Sequence, residues 1–445
     1  MKTPIYSFLS EYAKAGISRL HMPGHKGRGP LGIEALDLTE VCGADSLYSA
    51  NGIILESEKN ASALFKSAHS FYSTEGSTLA IKAMLALVTS GTPSGKRATV
   101  LAARNAHKAY ILSSALLDFD TKWIYGSSSH PCECIVTPSD VDRELSLMDE
   151  LPSAVYITSP DYLGRMADIE GISRVTKKYS VPLLVDNAHG AYLAFLKKSL
   201  HPLAQGADMC CDSAHKTLPV LTGGAYLHIS DSSAEKFLPS ARSRMAVFGS
   251  TSPSYLILAS LDLCNSYIEN GYSRKLCDAV EKISALRANL SDMGFSPEET
   301  EPLKLVFCSS KFGYSGDELA DILRGHSIEP EFSDRDYLVL MLTPEICDDA
   351  IERLMRVFSS LEKRAPLSTE IPRVRDGHKV SLSVREAVFS DIERIPVSKA
   401  AGRIAAAPTV SCPPAVPIVV SGEVIEEEDI SLFIYYGINE VDVVK

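Results

Sequence analysis

The stretch Pro182-Leu-Leu-Val-Asp186-Asn-Ala-His189-Gly190-Ala191 decides how the chain is read. Its apolar start predicts a buried strand over Pro182–Asp186 that ends on a carboxylate. Similar short apolar runs occur at Ala98–Ala103, Ala154–Thr158, Asp208–Asp212 and Gly223–Ile229. Helical stretches are expected between several of them, at Ser77–Ser90, Ala106–Leu117 and Asp168–Tyr179. Continuous apolar strands alternating with helices predict an α/β sheet covered on both faces. In such sheets a polar residue at the carboxyl end of a strand is the first candidate for a ligand site. Asp186 is placed there.

Outward from this stretch, the 445 residues allow two to four domains at roughly 100–200 residues each. The reading is an N-terminal arm over 1–30, a large domain over 31–265, a small α+β domain over 266–365 and a C-terminal domain over 366–445. Glu426-Glu427-Glu428-Asp429 reads as a solvated acidic turn. Hydrophobic residues make up 45% and charged residues 22%, as in a globular protein. The net charge of −12 argues against nucleic acid, which needs basic patches, and leaves room for a small cationic substrate, which an acidic field would attract. No run approaches the ~20 apolar residues of a membrane span, and the first residues carry no targeting pattern. The ten cysteines include no C-x-x-C pair, so a reducing, cytoplasmic setting is expected. His130-Pro-Cys132-Glu-Cys134 and Cys210-Cys211 lack the spacing of a closed zinc site, and no metal is expected.

Four segments carry chemistry. Ser213-Ala-His215-Lys216-Thr217 follows a strand and sets a lysine among small and apolar residues. Such a lysine can lose its proton, become a nucleophilic amine and be captured by an aldehyde cofactor. Asp186 can pair with a pyridinium nitrogen and keep it protonated, or simply cap the next element. Glu75-Gly76-Ser77-Thr78 precedes the helix Leu79–Leu87. Gly76 permits close approach, and two hydroxyls at a helix start suit a phosphate or an ordinary N-cap. Arg104-Asn-Ala-His107-Lys108 follows a strand, where His107 can stack on a flat ring or face solvent. Together the four have the layout of a fold-type-I pyridoxal-phosphate enzyme. No G-x-G-x-x-G follows a strand, so a nicotinamide reading lacks its basis.

The sequence resembles the Orn/Lys/Arg decarboxylase family, the group III basic amino-acid decarboxylases, in the short form without an N-terminal wing domain. The resemblance is carried by His21-Met-Pro-Gly-His25-Lys26-Gly, Asp37-Leu-Thr-Glu40, Gly76-Ser-Thr78, Arg104-Asn-Ala-His107-Lys108 and Thr158-Ser-Pro-Asp161-Tyr162. Asp186-Asn-Ala-His189-Gly-Ala, Ser213-Ala-His-Lys216-Thr-Leu-Pro, Gly249-Ser-Thr-Ser-Pro-Ser-Tyr255, Ala401-Gly-Arg-Ile404 and Pro413-Pro-Ala-Val-Pro417 extend it. It implies a fold-type-I large domain with a mainly parallel sheet, a smaller α+β domain and a C-terminal α+β domain. It further implies pyridoxal 5'-phosphate, with Lys216 as the Schiff-base lysine, Asp186 at the ring nitrogen and His107 stacked on the ring. Gly76, Ser77, Thr78, Ser213 and His215 would form the phosphate surroundings, and His189 would lie near the cofactor's hydroxyl.

The implied reaction is α-decarboxylation of arginine or lysine, with ornithine ranked lower, to a polyamine-pathway amine. The implied assembly is a homodimer or larger homo-oligomer with sites at the interface, where Thr251 and Ser252 would reach a neighbour's cofactor. Glu75, Asp161 and acidic residues of the C-terminal domain are candidates for the substrate's distal cation. The pattern departs from the family at Glu75, Cys412, Ala415 and Ser421. The rival readings are another reaction on the same scaffold, such as an aminotransferase, and a non-catalytic regulatory protein. Intact Lys216, Asp186 and His107 argue against the last.

Overall fold

The computed structural model describes residues 1–92, 95–127, 130–367, 372, 374–408 and 416–445. Cys412, Pro413, Pro414 and Ala415 lie outside the described residues. Seven strands form the main sheet: β1 (His69–Ser73), β2 (Thr99–Ala103), β3 (Asp120–Ile124), β4 (Ala154–Thr158), β5 (Leu183–Asp186), β6 (Met209–Asp212) and β7 (Ala225–Ile229). Their order is β1-β7-β6-β5-β4-β2-β3. β5 pairs with β6 and β2 with β3 in parallel, whereas β7 runs antiparallel to β1 and β6. Every residue of β5, β6 and β7 is buried, which explains their mostly apolar sequences. The expected α/β class, with parallel strands and intervening helices, is the one observed.

Chain contacts divide the protein into two units. The first comprises residues 1–93, 153–156 and 169–275. It holds β1, β5, β6 and β7, with the helix Gly76–Thr89 packed along β6 and β7. The expected N-terminal arm is in part a helix, Pro4–Lys14. Proline fits a first helical turn. Ile5 and Leu9, four apart and fully buried, pack that helix against Tyr255–Tyr267, where Asp262 accepts the Tyr6 amide. The 3.6-residue period was too short to stand out beside the glycines and prolines after it.

The second unit comprises residues 94–152, 157–168 and 276–445. It holds β2 and β3, then β8 (Lys304–Cys308), β9 (Phe332–Ser333) and β10 (Tyr337–Met341), antiparallel in the order β8-β10-β9. Helices Gly316–Gly325 and Asp348–Ser360 accompany them. β11 (Ile392–Pro396) pairs with β12 (Glu440–Val444) over a core of Val397, Val419, Ile425, Phe433 and Val443.

The acidic run is not a solvated turn. Glu426 and Asp429 form a capping box at the start of the helix Glu427–Tyr435. Asp429 is buried and accepts from His378 Nε2 at 2.9 Å. Arg104, next after β2, is buried as well. Its guanidinium donates to the carbonyls of Pro417 and Ile418 and to Glu423. No helix among the described residues is long and apolar enough to cross a membrane.

Candidate functional site

β5 delivers Asp186 to its carboxyl end, where the residue is buried. Oδ2 accepts the Tyr156 hydroxyl at 3.1 Å, and Oδ1 accepts the Ala188 amide at 3.2 Å and the Cys211 thiol at 3.5 Å. All three donors are neutral. No cationic side chain pairs with Asp186 among the described residues. A buried carboxylate without a counter-charge is costly, and a bound cation offsets that cost. Burial, with Asp186 adding to it, keeps the Cys211 thiol far above its ordinary value, so Cys211 stays a donor.

β6 ends one residue before Ser213, which opens the short helix Ala214–Thr217. This turn sets Lys216 Nζ 3.1 Å from His189 Nε2. Burial holds His215 below the ordinary imidazole value, and Lys216 works in the same direction. His215 Nδ1 lies 3.0 Å from the Gly224 carbonyl oxygen. The Ser213 hydroxyl donates to Ser77 Oγ at 2.8 Å, which joins the lysine turn to the start of Gly76–Thr89. No side chain caps that helix, and its first turn holds no acid. The N–H groups of its first turn after Gly76 therefore remain open to an anion. Gly76 has φ +70°, and its amide donates to the Gly223 carbonyl at 2.7 Å. Thr78 follows on the exposed side.

Glu75, flagged by its sequence, turns away along another route. Its carboxylate accepts the Ser250 amide at 2.6 Å. Burial pushes the nearby Tyr48 phenol up to about 12, and the Glu75 charge contributes.

The structure thus brings Gly76, Ser77, Asp186, His189, Ser213, His215 and Lys216 together on adjoining strand ends of the first unit. His107 belongs to the second unit. There it caps the helix Lys108–Leu117, its Nδ1 accepting the Ala109 amide at 3.1 Å. Asp161, also in that unit, is buried and accepts the Arg165 amide at 2.9 Å. Burial pushes its carboxyl up to about 6.

Tyr156 and Cys211 were missed as site residues. Each sits inside an apolar strand, and only cross-strand neighbours, which a single sequence does not give, mark them. Two groups combine metal-ligand atom types, His201/Cys210/Asp212 and His130/Asp334/Asp336. Their carboxylates already accept hydrogen bonds from imidazole or tyrosine groups.

The Orn/Lys/Arg decarboxylase major domain matches residues 3–300, and the C-terminal domain of the same family matches residues 377–440. The chain is 30% identical to the uncharacterised protein YaaO of Bacillus subtilis (strain 168), over 97% of this chain and 93% of that one. It is 28% identical to an arginine decarboxylase of Bacillus anthracis, over 96% and 92%. Among solved structures, a lysine decarboxylase of Francisella novicida superposes with a TM-score of 0.81 at 16% identity, covering 100% of this chain and 81% of that chain. The constitutive lysine decarboxylase of E. coli gives 0.77 at 17% identity, covering 100% and 82%.

Proposed function

The chain belongs to the Orn/Lys/Arg decarboxylase family, and from that premise we propose that it uses pyridoxal 5'-phosphate to release carbon dioxide from arginine or lysine. It is a decarboxylase of basic amino acids. Arginine is placed first because relatives aligned over nearly the whole chain are named arginine decarboxylases. The observation that carries the cofactor reading is Asp186, a buried carboxylate bonded among the described residues by neutral donors alone, on a strand end adjoining the one that leads to Lys216, itself paired with His189.

The residues present fit that group. Asp186 offers a charge to a protonated ring nitrogen. Ser77, Ser213 and the uncapped helix start at Gly76 offer hydroxyls and N–H groups to a phosphate. When bound, pyridoxal phosphate supplies an aldehyde carbon and a ring able to take up the electron pair left by departing carbon dioxide. Lys216 supplies the amine that reaches that carbon. His189 Nε2, 3.1 Å from Nζ, holds or accepts the proton that Lys216 must shed to become a nucleophile. The same pair can return a proton to the substrate's α-carbon. Neutral His215, against the Gly224 carbonyl, fixes the turn without adding positive charge beside Lys216.

The proposal includes a cytoplasmic homo-oligomer with active sites at subunit interfaces. Leu20, Met22 and Leu31, exposed by 95%, 66% and 77%, support a covered N-terminal segment in that assembly. Amine and carbon dioxide assays with arginine, lysine and ornithine in turn, with pyridoxal phosphate supplied, test the reaction. Lys216→Ala is expected to lose both turnover and the absorbance of protein-bound cofactor. Turnover retained by that variant overturns the assignment.

A further inference from the structure

Asp212 closes β6 and is fully buried. Its Oδ1 accepts Asn187 Nδ2 at 2.7 Å. Its Oδ2 accepts His201 Nε2 at 3.0 Å and His228 Nε2 at 3.2 Å. His228 Nδ1 in turn accepts the Ser70 hydroxyl at 2.7 Å. Burial opposes the charge on Asp212, but the two imidazoles hold its carboxyl far below the ordinary range. It therefore remains an anion, with all its hydrogen-bond donors in place.

Asn187 is fixed at several points. Its amide N–H donates to the Cys211 carbonyl at 3.0 Å, and its carbonyl accepts the Gly190 amide at 2.8 Å. A Cβ at Gly190 would stand 2.0 Å from Asn187 Oδ1, so only glycine leaves that side chain its place. Asn187 directly follows Asp186, and His189 lies two residues on. Asp212 directly precedes Ser213, and Lys216 lies four residues on. The 2.7 Å bond between Asn187 and Asp212 thus ties the turn that carries Asp186 and His189 to the turn that carries Ser213 and Lys216.

We propose that Asp212 is the positioning residue of the site, setting through Asn187 the spacing between Asp186 and Lys216. The inference rests on the cofactor reading above. A carboxylate that only stabilised the sheet would change the melting temperature and leave the affinity for cofactor alone. A carboxylate that sets spacing changes affinity and turnover, because a small misplacement of reacting groups costs rate steeply.

The test uses the full chain as wild type, Asn187→Ala and Asp212→Asn. Asn187→Ala removes the tie and leaves Asp212 its two imidazoles, so it keeps the fold. Asp212→Asn also replaces one acceptor by a donor facing other donors. Absorbance titration of the cofactor-free proteins gives the Kd for pyridoxal phosphate, and steady-state assays separate kcat from KM. Asn187→Ala is expected to raise the Kd about tenfold and lower kcat about tenfold, with KM within about twofold. Asp212→Asn is expected to do at least as much if it folds. Wild-type Kd and kcat in Asn187→Ala overturn the inference, whatever its melting temperature. A wild-type protein that binds no pyridoxal phosphate overturns the cofactor reading and this inference with it. A wild type that binds cofactor without turning over basic amino acids overturns the reaction alone, and the Kd comparison still decides the inference.

Discussion

Asp186 pits stability against function. Its buried carboxyl is bonded by a hydroxyl, an amide and a thiol, none of them charged. Asp186→Asn keeps the shape and drops the charge. We expect it to raise the melting temperature of the cofactor-free protein by about 2 °C and to lower kcat at least about a hundredfold. Calorimetry and carbon dioxide release measure the two effects. The histidines set a pH trend. Burial depresses His215 and His228 below the ordinary imidazole value, so the unfolded chain binds protons there that the folded chain does not. Their contribution to stability is present above about pH 6.5 and is lost as pH falls below it. Melting curves from pH 7.5 down to 5.5 should fall steadily, and His228→Asn should flatten part of that slope. The placement of Asp186 and Lys216 was legible because strand-end position and local sequence declare it. Tyr156, Asn187 and Asp212 were not, since their importance comes from partners on other strands.

At the scale of the element, the turn after β4 holds a carboxyl raised to about 6. A raised carboxyl is ionised at a cost above that value, and the cost vanishes as pH falls towards 4. Asp161→Asn keeps an oxygen for the Arg165 amide and removes the charge. It should melt about 1–3 °C higher at pH 7.5, with the gap narrowing as pH falls to 4.5. The start of Gly76–Thr89 behaves differently. Gly76→Ala meets no atom within 4 Å but must adopt φ +70°, which costs about 1–2 kcal/mol and turns the helix start away from an anion. Cofactor affinity should drop more than the melting temperature does. The sequence predicted this helix and β5 to within about two residues, because apolar runs and glycine mark them. It missed β1, β3 and the Pro4–Lys14 helix, whose polar residues mask the pattern.

Over the whole molecule, the second unit is joined across the chain by Arg104. Residues near the C-terminus supply three acceptors for its guanidinium: two carbonyls and the buried Glu423. Arg104→Met leaves Glu423 with the Val420 amide, the His378 imidazole 3.8 Å away and no guanidinium, and should destabilise the protein by about 3–5 kcal/mol. A denaturant midpoint lowered without a change in slope would show it. Arg104 also precedes Glu423 by 319 residues. At roughly 5–20 residues per second, a ribosome takes on the order of tens of seconds to cover that gap. Through that interval the nascent chain carries a guanidinium whose C-terminal partners have yet to be made. The second unit closes only after synthesis has passed residue 423, so chaperone demand during translation should concentrate on this half of the protein.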